Sequence, residues 1–383
     1  MFSQLKKALV TLAIHQIKLT VLKHLILSAA VLLSLSAFSQ SGDRDTKAGE
    51  IKLKDFRPVS IYKTPTANIP RAKYPAYDMH THDYVKSKEE VDEWVKTMDE
   101  MNVAKSMINT YTTGKQFDSI VDKYSKHKDR FIMFCGFDYT GADQPGWSKK
   151  AVAELERCYK MGARGVGELG DKGLGELYSR PTPGYGIHID DPRMKPLIKR
   201  CGELKIPINI HVAEDAWMYL PPDSTNDGLI NASKWTVDMT VKGKLNHDEL
   251  IQTLENAVRD NPGTTFIASH LANTCSDLSQ LGTLFDRYPN LYADISARYG
   301  EISPIPKYVH KFLEKYADRI VYGTDMGPTK SMYLTTFRIL ESGDEHFYEH
   351  DQFNYHWPLY GLELTDATLK KIYNTNSVRI LKQ

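Results

Sequence analysis

Eight short apolar runs recur along the chain, each followed by an amphipathic stretch, and this repetition restricts the possible folds more than any other feature. The runs cover residues 76–80, 103–109, 131–137, 164–168, 207–211, 265–270, 291–295 and 320–324. Their length, bounded by turn residues, fits strands buried on both faces, and the stretches between them carry helical spacing. The helical patterns run from Ser87 to 101, then over 115–127, 149–161, 192–205, 247–260, 277–288, 306–317 and 331–341. Ser87-Lys88-Glu89-Glu90 reads as a capping box opening the first of them. Eight strand–helix units in about 265 residues predict an α/β fold, a closed (β/α)8 TIM barrel with long loops after strands 4 and 5. An open doubly wound sheet is the alternative, but no glycine-rich dinucleotide fingerprint supports it. Residues 344–364 are aromatic-rich and irregular, and 365–381 forms a closing helix.

The long loops span 169–191 and 214–246, the first rich in Gly, the second carrying Trp217, Tyr219 and Trp235. Both leave the C-terminal ends of strands, where such barrels hold their active sites, and loops of this length in a compact domain are usually binding loops or lids.

Upstream of the barrel, residues 1–42 carry Lys6, Lys7, Lys18 and Lys23 and no acidic residue, and 25–35 is an apolar run. Ala37-Phe38-Ser39 supplies the small residues that a signal peptidase requires. The reading is a signal peptide over 1–39, an extended Pro-interrupted strap over 40–74, and the barrel over 75–383. The expected location is therefore across the inner membrane, periplasmic or extracellular, with no membrane association after signal removal. Cleavage takes the net charge from +1, with 49 basic and 48 acidic residues, to −3. Neither value shows the basic excess of a nucleic-acid-binding protein. Four Cys (Cys135, Cys158, Cys201 and Cys275) are too few for a disulfide framework and match no metal motif. Oligomeric state is left open.

Polar residues close several of the apolar runs. His80 and His82, in Asp78-Met79-His80-Thr81-His82, end strand one; alternate strand residues share a face, so both imidazoles can enter the barrel mouth. His211 ends strand five, His270 ends strand six, and Asp325 follows strand eight. A His-x-His pair alone says little. Four His and one Asp, all at C-terminal strand edges, suit Zn²⁺ or a similar divalent ion. Asp78 is read as a brace for the His pair.

In this ordered set the sequence resembles the amidohydrolase superfamily, in particular its amidohydrolase-related branch of metal-dependent TIM-barrel hydrolases. The end of the chain, Leu369-Lys370-Lys371-Ile372-Tyr373-Asn374-Thr375-Asn376, resembles that family's last helix. The resemblance implies a distorted (β/α)8 barrel with one or two divalent metal ions per chain, zinc by expectation. His80, His82, His211 and Asp325 would be ligands, with His270 positioning substrate or water or holding a second metal. Glu168, at the end of strand four, occupies the place of a carboxylated Lys or a Glu that bridges two metals in binuclear relatives. Its alternative is to hydrogen-bond loop backbone or a substrate hydroxyl.

Arg298, after strand seven, can grip a substrate carboxylate or pair with a loop acid such as Glu301. Tyr139 and Trp217 are candidate substrate contacts, with Tyr111 a further pocket-lining residue. The chemistry expected first is hydrolysis of an ester, lactone or amide of a small substrate, with Asp325 as general base and His270 stabilising the oxyanion. A decarboxylase or hydratase of the same branch, or a ligand-binding barrel without catalysis, are the alternatives.

Overall fold

The computed structural model describes residues 48–382, so the signal peptide expected over 1–39 lies outside the described residues. The chain divides into two units, Met1–Phe56 and Arg57–Gln383. The described part of the first holds two short 3-10 turns, Ala48–Glu50 and Leu53–Asp55. In the second unit, residues 57–75 carry no helix or strand. They are tied down by Ser60 Oγ to His346 Nδ1 at 3.1 Å and by Ala67 N–H donating to Asp344 Oδ1 at 2.8 Å. Among the described residues no helix is long and apolar enough to cross a membrane.

Eight parallel strands follow in sequence order: β1 (Ala76–His82), β2 (Val103–Asn109), β3 (Phe131–Cys135), β4 (Gly165–Asp171), β5 (Ile208–Val212), β6 (Phe266–Ala268), β7 (Leu291–Asp294) and β8 (Ile320–Val321). Helices cover the outside: α1 (Lys88–Met101), α2 (Gly114–Tyr124), α3 (Trp147–Met161), α4 (Lys195–Leu204), α5 (Leu229–Trp235), α6 (His247–Asp260), α7 (Leu278–Arg287), α8 (Tyr299–Ile302), α9 (Pro306–Lys315) and α10 (Lys330–Glu341). This is the (β/α)8 barrel that the eightfold alternation predicts. The ring closes between β8 and β1 through Met79 N–H to Tyr322 O at 2.9 Å and Asp325 N–H to His80 O at 2.8 Å. Asp78 strengthens that seam. Fully buried, its carboxylate accepts from the Thr324 N–H at 2.9 Å and the Thr324 hydroxyl at 2.7 Å. It braces the His pair through the backbone rather than through either imidazole.

Alternation along each strand sends one set of side chains into the barrel and the other under the helices. Met79, Met107, Ile132, Phe134, Ile267, Tyr292 and Val321 fill the interior, joined by Ile380 from the end of the chain. Gly165 makes room for Phe134: a Cβ at that position would lie 2.2 Å from the ring. The closing helix is composite, with α11 (Asp366–Lys370) and α12 (Asn376–Leu381) joined by a π turn over Lys371–Thr375. Asn376 is fully buried, and its amide donates to Ala317 O and Ile320 O, both at 2.7 Å. The last helix is thereby pinned to the entry of β8.

Ser87 does cap α1, accepting from the Glu90 N–H at 3.3 Å, but the Glu90 carboxylate reaches back to the Lys86 N–H at 2.8 Å. The reciprocal box predicted there is completed elsewhere, by Asn246 and Glu249 at the start of α6. The loop after β5 is partly ordered into a 3-10 turn, Ala216–Tyr219, and α5. The Asn226 side chain holds it together, donating to Trp217 O at 3.0 Å and Pro221 O at 3.1 Å.

Candidate metal centre

The strand ends converge on a buried cluster of imidazoles and carboxylates. Several are delivered by left-handed backbone. His270, Leu271, Ala272 and Asn273 have φ between +54° and +60°, Asp325 has +56°, Ala213 +61° and Ala297 +53°. Non-glycine residues avoid this region at a cost of about 1–2 kcal/mol each, and such strain concentrates where a site must hold side chains in fixed positions. Here it turns the chain sharply at the ends of β5, β6, β7 and β8. β6 stops at Ala268 and β8 at Val321, so His270 and Asp325 sit on these turns rather than in the strands.

Three imidazoles are locked in one tautomer. His80 Nδ1 lies 3.0 Å from Asp294 Oδ2, His82 Nδ1 3.1 Å from Asn109 O, and His270 Nδ1 2.9 Å from Ser296 O. Carboxylates and carbonyls only accept, so each Nδ1 carries the hydrogen and each Nε2 offers its lone pair to the site. His211 is turned the other way: Nε2 donates to Ala213 O at 2.9 Å, and Nδ1 faces Glu168 Oε1 at 3.1 Å.

Among the described residues, three groups have donor atoms within 4.8 Å of one another, His80/His82/Asp325, Glu168/His211/His270 and His80/His270/Asp294. In the third, Asp294 is taken up by His80 Nδ1 and the His270 backbone N–H, which leaves the first two triplets for an ion. Asp325 Oδ1 is 3.0 Å from His82 Nε2 and 3.8 Å from His80 Nε2. Glu168 lies between the triplets: Oε1 is 3.6 Å from His80 Nε2 and 3.4 Å from His270 Nε2, and Oε2 is 3.7 Å from His82 Nε2. Ligands bonded at about 2.0–2.2 Å to one ion must lie within roughly 4.4 Å of each other, which these His–carboxylate spacings satisfy. His80 Nε2 is fully buried and has no hydrogen-bond partner. A buried lone pair with nothing to accept, facing two carboxylates, is what a divalent cation would satisfy.

Charge leads to the same conclusion. Burial opposes ionisation throughout, yet the neighbours overcome it. Asp294, Asp325 and Glu168 push His80 up to about 10, and Glu214 and Glu168 push His211 up to about 9. Glu168 and Asp325 are held below the usual carboxylate range by the surrounding imidazoles. His270 is lowered, by burial and then by His211, Arg298 and His80. Protons and a dication thus compete for the same nitrogens.

His80, His82, His211, His270, Glu168 and Asp325 are therefore brought together, although His211 joins Glu168 and His270 rather than the His80/His82 group. His211, His270 and Asp325 line a cavity of about 320 Å³, with Trp217, Arg298 and Glu301 further along its wall. Arg298 is already engaged: Nε donates to Asn273 Oδ1 at 3.1 Å, one terminal nitrogen bonds the same oxygen and the other donates to Ala297 O at 3.0 Å. Asp215 and Glu301 stand 3.7 and 3.6 Å from it. The pairing with Glu301 weighed from the sequence is thus present. Tyr139 does not line this cavity; it is 2% exposed and stacks on Trp147 with ring centroids 5.7 Å apart. Tyr111 packs its ring against His82, centroids 5.3 Å apart. Lys172 pairs with Glu214 and belongs to neither triplet.

Two participants are not singled out by the sequence. Asp294 orients His80 and also accepts from the His270 N–H at 3.0 Å and Asn209 Nδ2 at 3.2 Å. It ends an apolar strand just as the histidines do, a signal that could have found it. Tyr84, two residues beyond His82, donates its hydroxyl to Asp325 Oδ1 at 3.2 Å.

The sequence matches the amidohydrolase family over residues 63–383. A search of curated proteins finds no match. Among solved structures, a protein from Staphylococcus aureus described as an amidohydrolase is similar with a TM-score of 0.51 at 18% identity, covering 80% of this chain and 99% of its own. A 2,6-dihydroxybenzoate decarboxylase from Rhizobium is similar with a TM-score of 0.50 at 16% identity, covering 81% and 99%. At these identities the likeness establishes the shared fold.

Proposed function

Because the chain belongs to the amidohydrolase family, we propose that it is a metal-dependent hydrolase cleaving a C–O or C–N bond in a small molecule. The observation that carries this reading is the pair of His–carboxylate triplets, His80/His82/Asp325 and Glu168/His211/His270, of which His211, His270 and Asp325 line the cavity. His80, His82, His211 and Asp325, with Glu168 and His270, would hold the ion. A divalent ion there supplies a Lewis acid that acidifies water and polarises the scissile bond.

The protein's own groups do the rest. Asp325, on the cavity wall and within reach of His82, takes the proton of the attacking water and passes it to the leaving group. The Tyr84 hydroxyl holds one carboxylate oxygen of Asp325 and so fixes where the other points. His270, its Nδ1 anchored on Ser296 O, turns its Nε2 lone pair towards Glu168 and the cavity, where it would hold the ion; with no hydrogen on Nε2 it does not donate to the substrate oxygen. The apolar run at 25–35 and the small residues after it support export with loss of residues 1–39.

Turnover of ester, lactone and amide panels in ¹⁸O-labelled water tests the reaction class. Hydrolysis places one labelled oxygen in the product. Release of carbon dioxide from carboxylic acids without label incorporation would replace this reading by decarboxylation.

A further inference from the structure

Glu214 is a buried carboxylate beside the metal centre that belongs to no group able to hold an ion. Its Oε2 lies 3.4 Å from His211 Nε2, the nitrogen that donates to Ala213 O at 2.9 Å. Its Oε1 is taken by the Lys172 ammonium. A chain of contacts thus runs from His211 through Glu214 to Lys172, and all three side chains line the same cavity.

The backbone around Lys172 is fixed from both sides. Asp171, the last residue of β4, accepts the Gly173 N–H on Oδ1 at 3.0 Å. Gly173 has φ +124°, which favours glycine, and a Cβ there would lie 2.5 Å from Lys244 Cγ and 2.8 Å from Leu245 O. The Leu245 N–H donates to Gly173 O at 2.8 Å, so the loop after β4 is joined to the end of the loop after β5. Lys172 leaves this junction, and its ammonium also stands 5.9 Å from the ring centroid of Trp235, the last residue of α5. Lys234 lines the same cavity and lies 5.1 Å from that centroid, but among the described residues it forms no ion pair. Of these two lysines, only Lys172 is built into a carboxylate pair.

An imidazole that binds an ion through Nδ1 must keep its hydrogen on Nε2 and its ring in one orientation. Ala213 O alone is a divided anchor for His211, because that carbonyl also accepts the Asn273 amide at 3.2 Å. Glu214 adds a carboxylate at the same edge of the ring, and such partners both orient a metal-bound His and make it more basic. A free carboxylate so close to the ion would compete as a ligand; the Lys172 ammonium occupies Oε1 and prevents this. We propose that Glu214 is the positioning residue of His211 and that Lys172 holds Glu214 to that task, so that the junction of the two long loops sets how tightly the centre takes a metal. The proposal rests on the metal-binding part of the hydrolase reading and not on the bond cleaved.

Zinc affinity of the full-length protein, measured by competition with a chromogenic chelator, tests this by its sign. Lys172→Met removes a positive charge and keeps the stem, and the side chain is 33% exposed, so the core stays closed. A lysine acting only through its field repels the ion, and its loss would strengthen zinc binding. A lysine that positions Glu214 gives the reverse, a loss of about tenfold, the low end for partners of a metal-bound His. Glu214→Gln should lose about 10–100-fold. The double variant should bind within about twofold of Glu214→Gln alone, because both changes cut one chain of contacts. Lys172→Arg, which keeps a cation for Glu214, should restore most of the affinity, and Lys234→Met should not weaken it. In the cobalt(II)-loaded protein the visible absorption should shift in Lys172→Met, as a displaced imidazole requires, and return in Lys172→Arg. Unchanged or tighter zinc binding in Lys172→Met, or losses that add in the double variant, overturns the proposal. Wild-type protein that takes no zinc overturns it together with the metal centre. No substrate enters these measurements, so failure of the ¹⁸O test alone removes hydrolysis and leaves the roles of Glu214 and Lys172 standing.

Discussion

Asp294 shows how much of the site depends on a residue that binds nothing itself. It fixes the His80 tautomer and receives the His270 backbone N–H, so one carboxylate orients an imidazole of one triplet and anchors the main chain at a histidine of the other. Removing a partner of this kind typically costs about 10–100-fold in metal affinity. Asp294→Asn should weaken zinc binding by that order in competition with a chromogenic chelator; unchanged affinity would mean that His80 needs no such support. Asp325 should behave in the opposite manner. Asp325→Asn keeps an oxygen for coordination but cannot take a proton, so turnover should fall by about 10²–10⁴ while bound metal changes far less. Near-normal turnover with metal bound would remove Asp325 as the base and favour carbon–carbon chemistry. The histidines were legible in the sequence because each closes an apolar run. The division of His211 from His80 and His82 was not, because ring orientation is set by contacts between strands far apart in the chain.

Among the elements, the strands and helices follow the hydrophobic period closely, and the departures have local causes. β6 and β8 are shorter than their apolar runs because the backbone turns left-handed or leaves the ladder just before His270 and Asp325. Periodicity carries no information about such turns. The Ser87 cap was visible as a motif, but the Glu90 partner is one residue away from the place that motif implies. The closing helix was visible, but not the task of Asn376 within it. Its amide serves two buried carbonyls before and at the start of β8, and each unsatisfied buried group costs about 1–3 kcal/mol. Asn376→Ala should therefore lower the unfolding free energy by about 2–4 kcal/mol in urea titration, with bound metal per folded chain unchanged. A loss below 0.5 kcal/mol, roughly the scale of a neutral surface change, would mean that water replaces the amide. Tyr139 illustrates the converse. A tyrosine just after a strand reads as pocket-lining, but it stacks on Trp147, ten residues from the strand end at Phe137 in the predicted run.

For the whole molecule, the metal centre links stability to pH. His80 and His211 titrate near 10 and 9 in the fold, against about 6.5 in an unfolded chain. Raised folded values stabilise the protein fully below pH 6.5, and that contribution is lost as pH rises through 9 to 10. The chelated protein should thus lose melting temperature between pH 7 and 10. The loaded protein, where a cation replaces the protons, should show a much smaller decline by scanning calorimetry. Equal slopes would mean that the imidazoles do not carry the compensating charge. The barrel itself was fully foreshadowed by the eightfold alternation, and the matched family spans nearly all of it.

The measurement that bears most directly on the whole account is elemental analysis of the purified protein followed by an anomalous-difference map at the absorption edge of the metal found. The account predicts one or two strong peaks about 2.0–2.2 Å from His80 Nε2, His82 Nε2, Asp325 or Glu168, with His211 Nδ1 and His270 Nε2 turned towards them. Active protein with no divalent metal, or with its only peak away from both triplets, would contradict it.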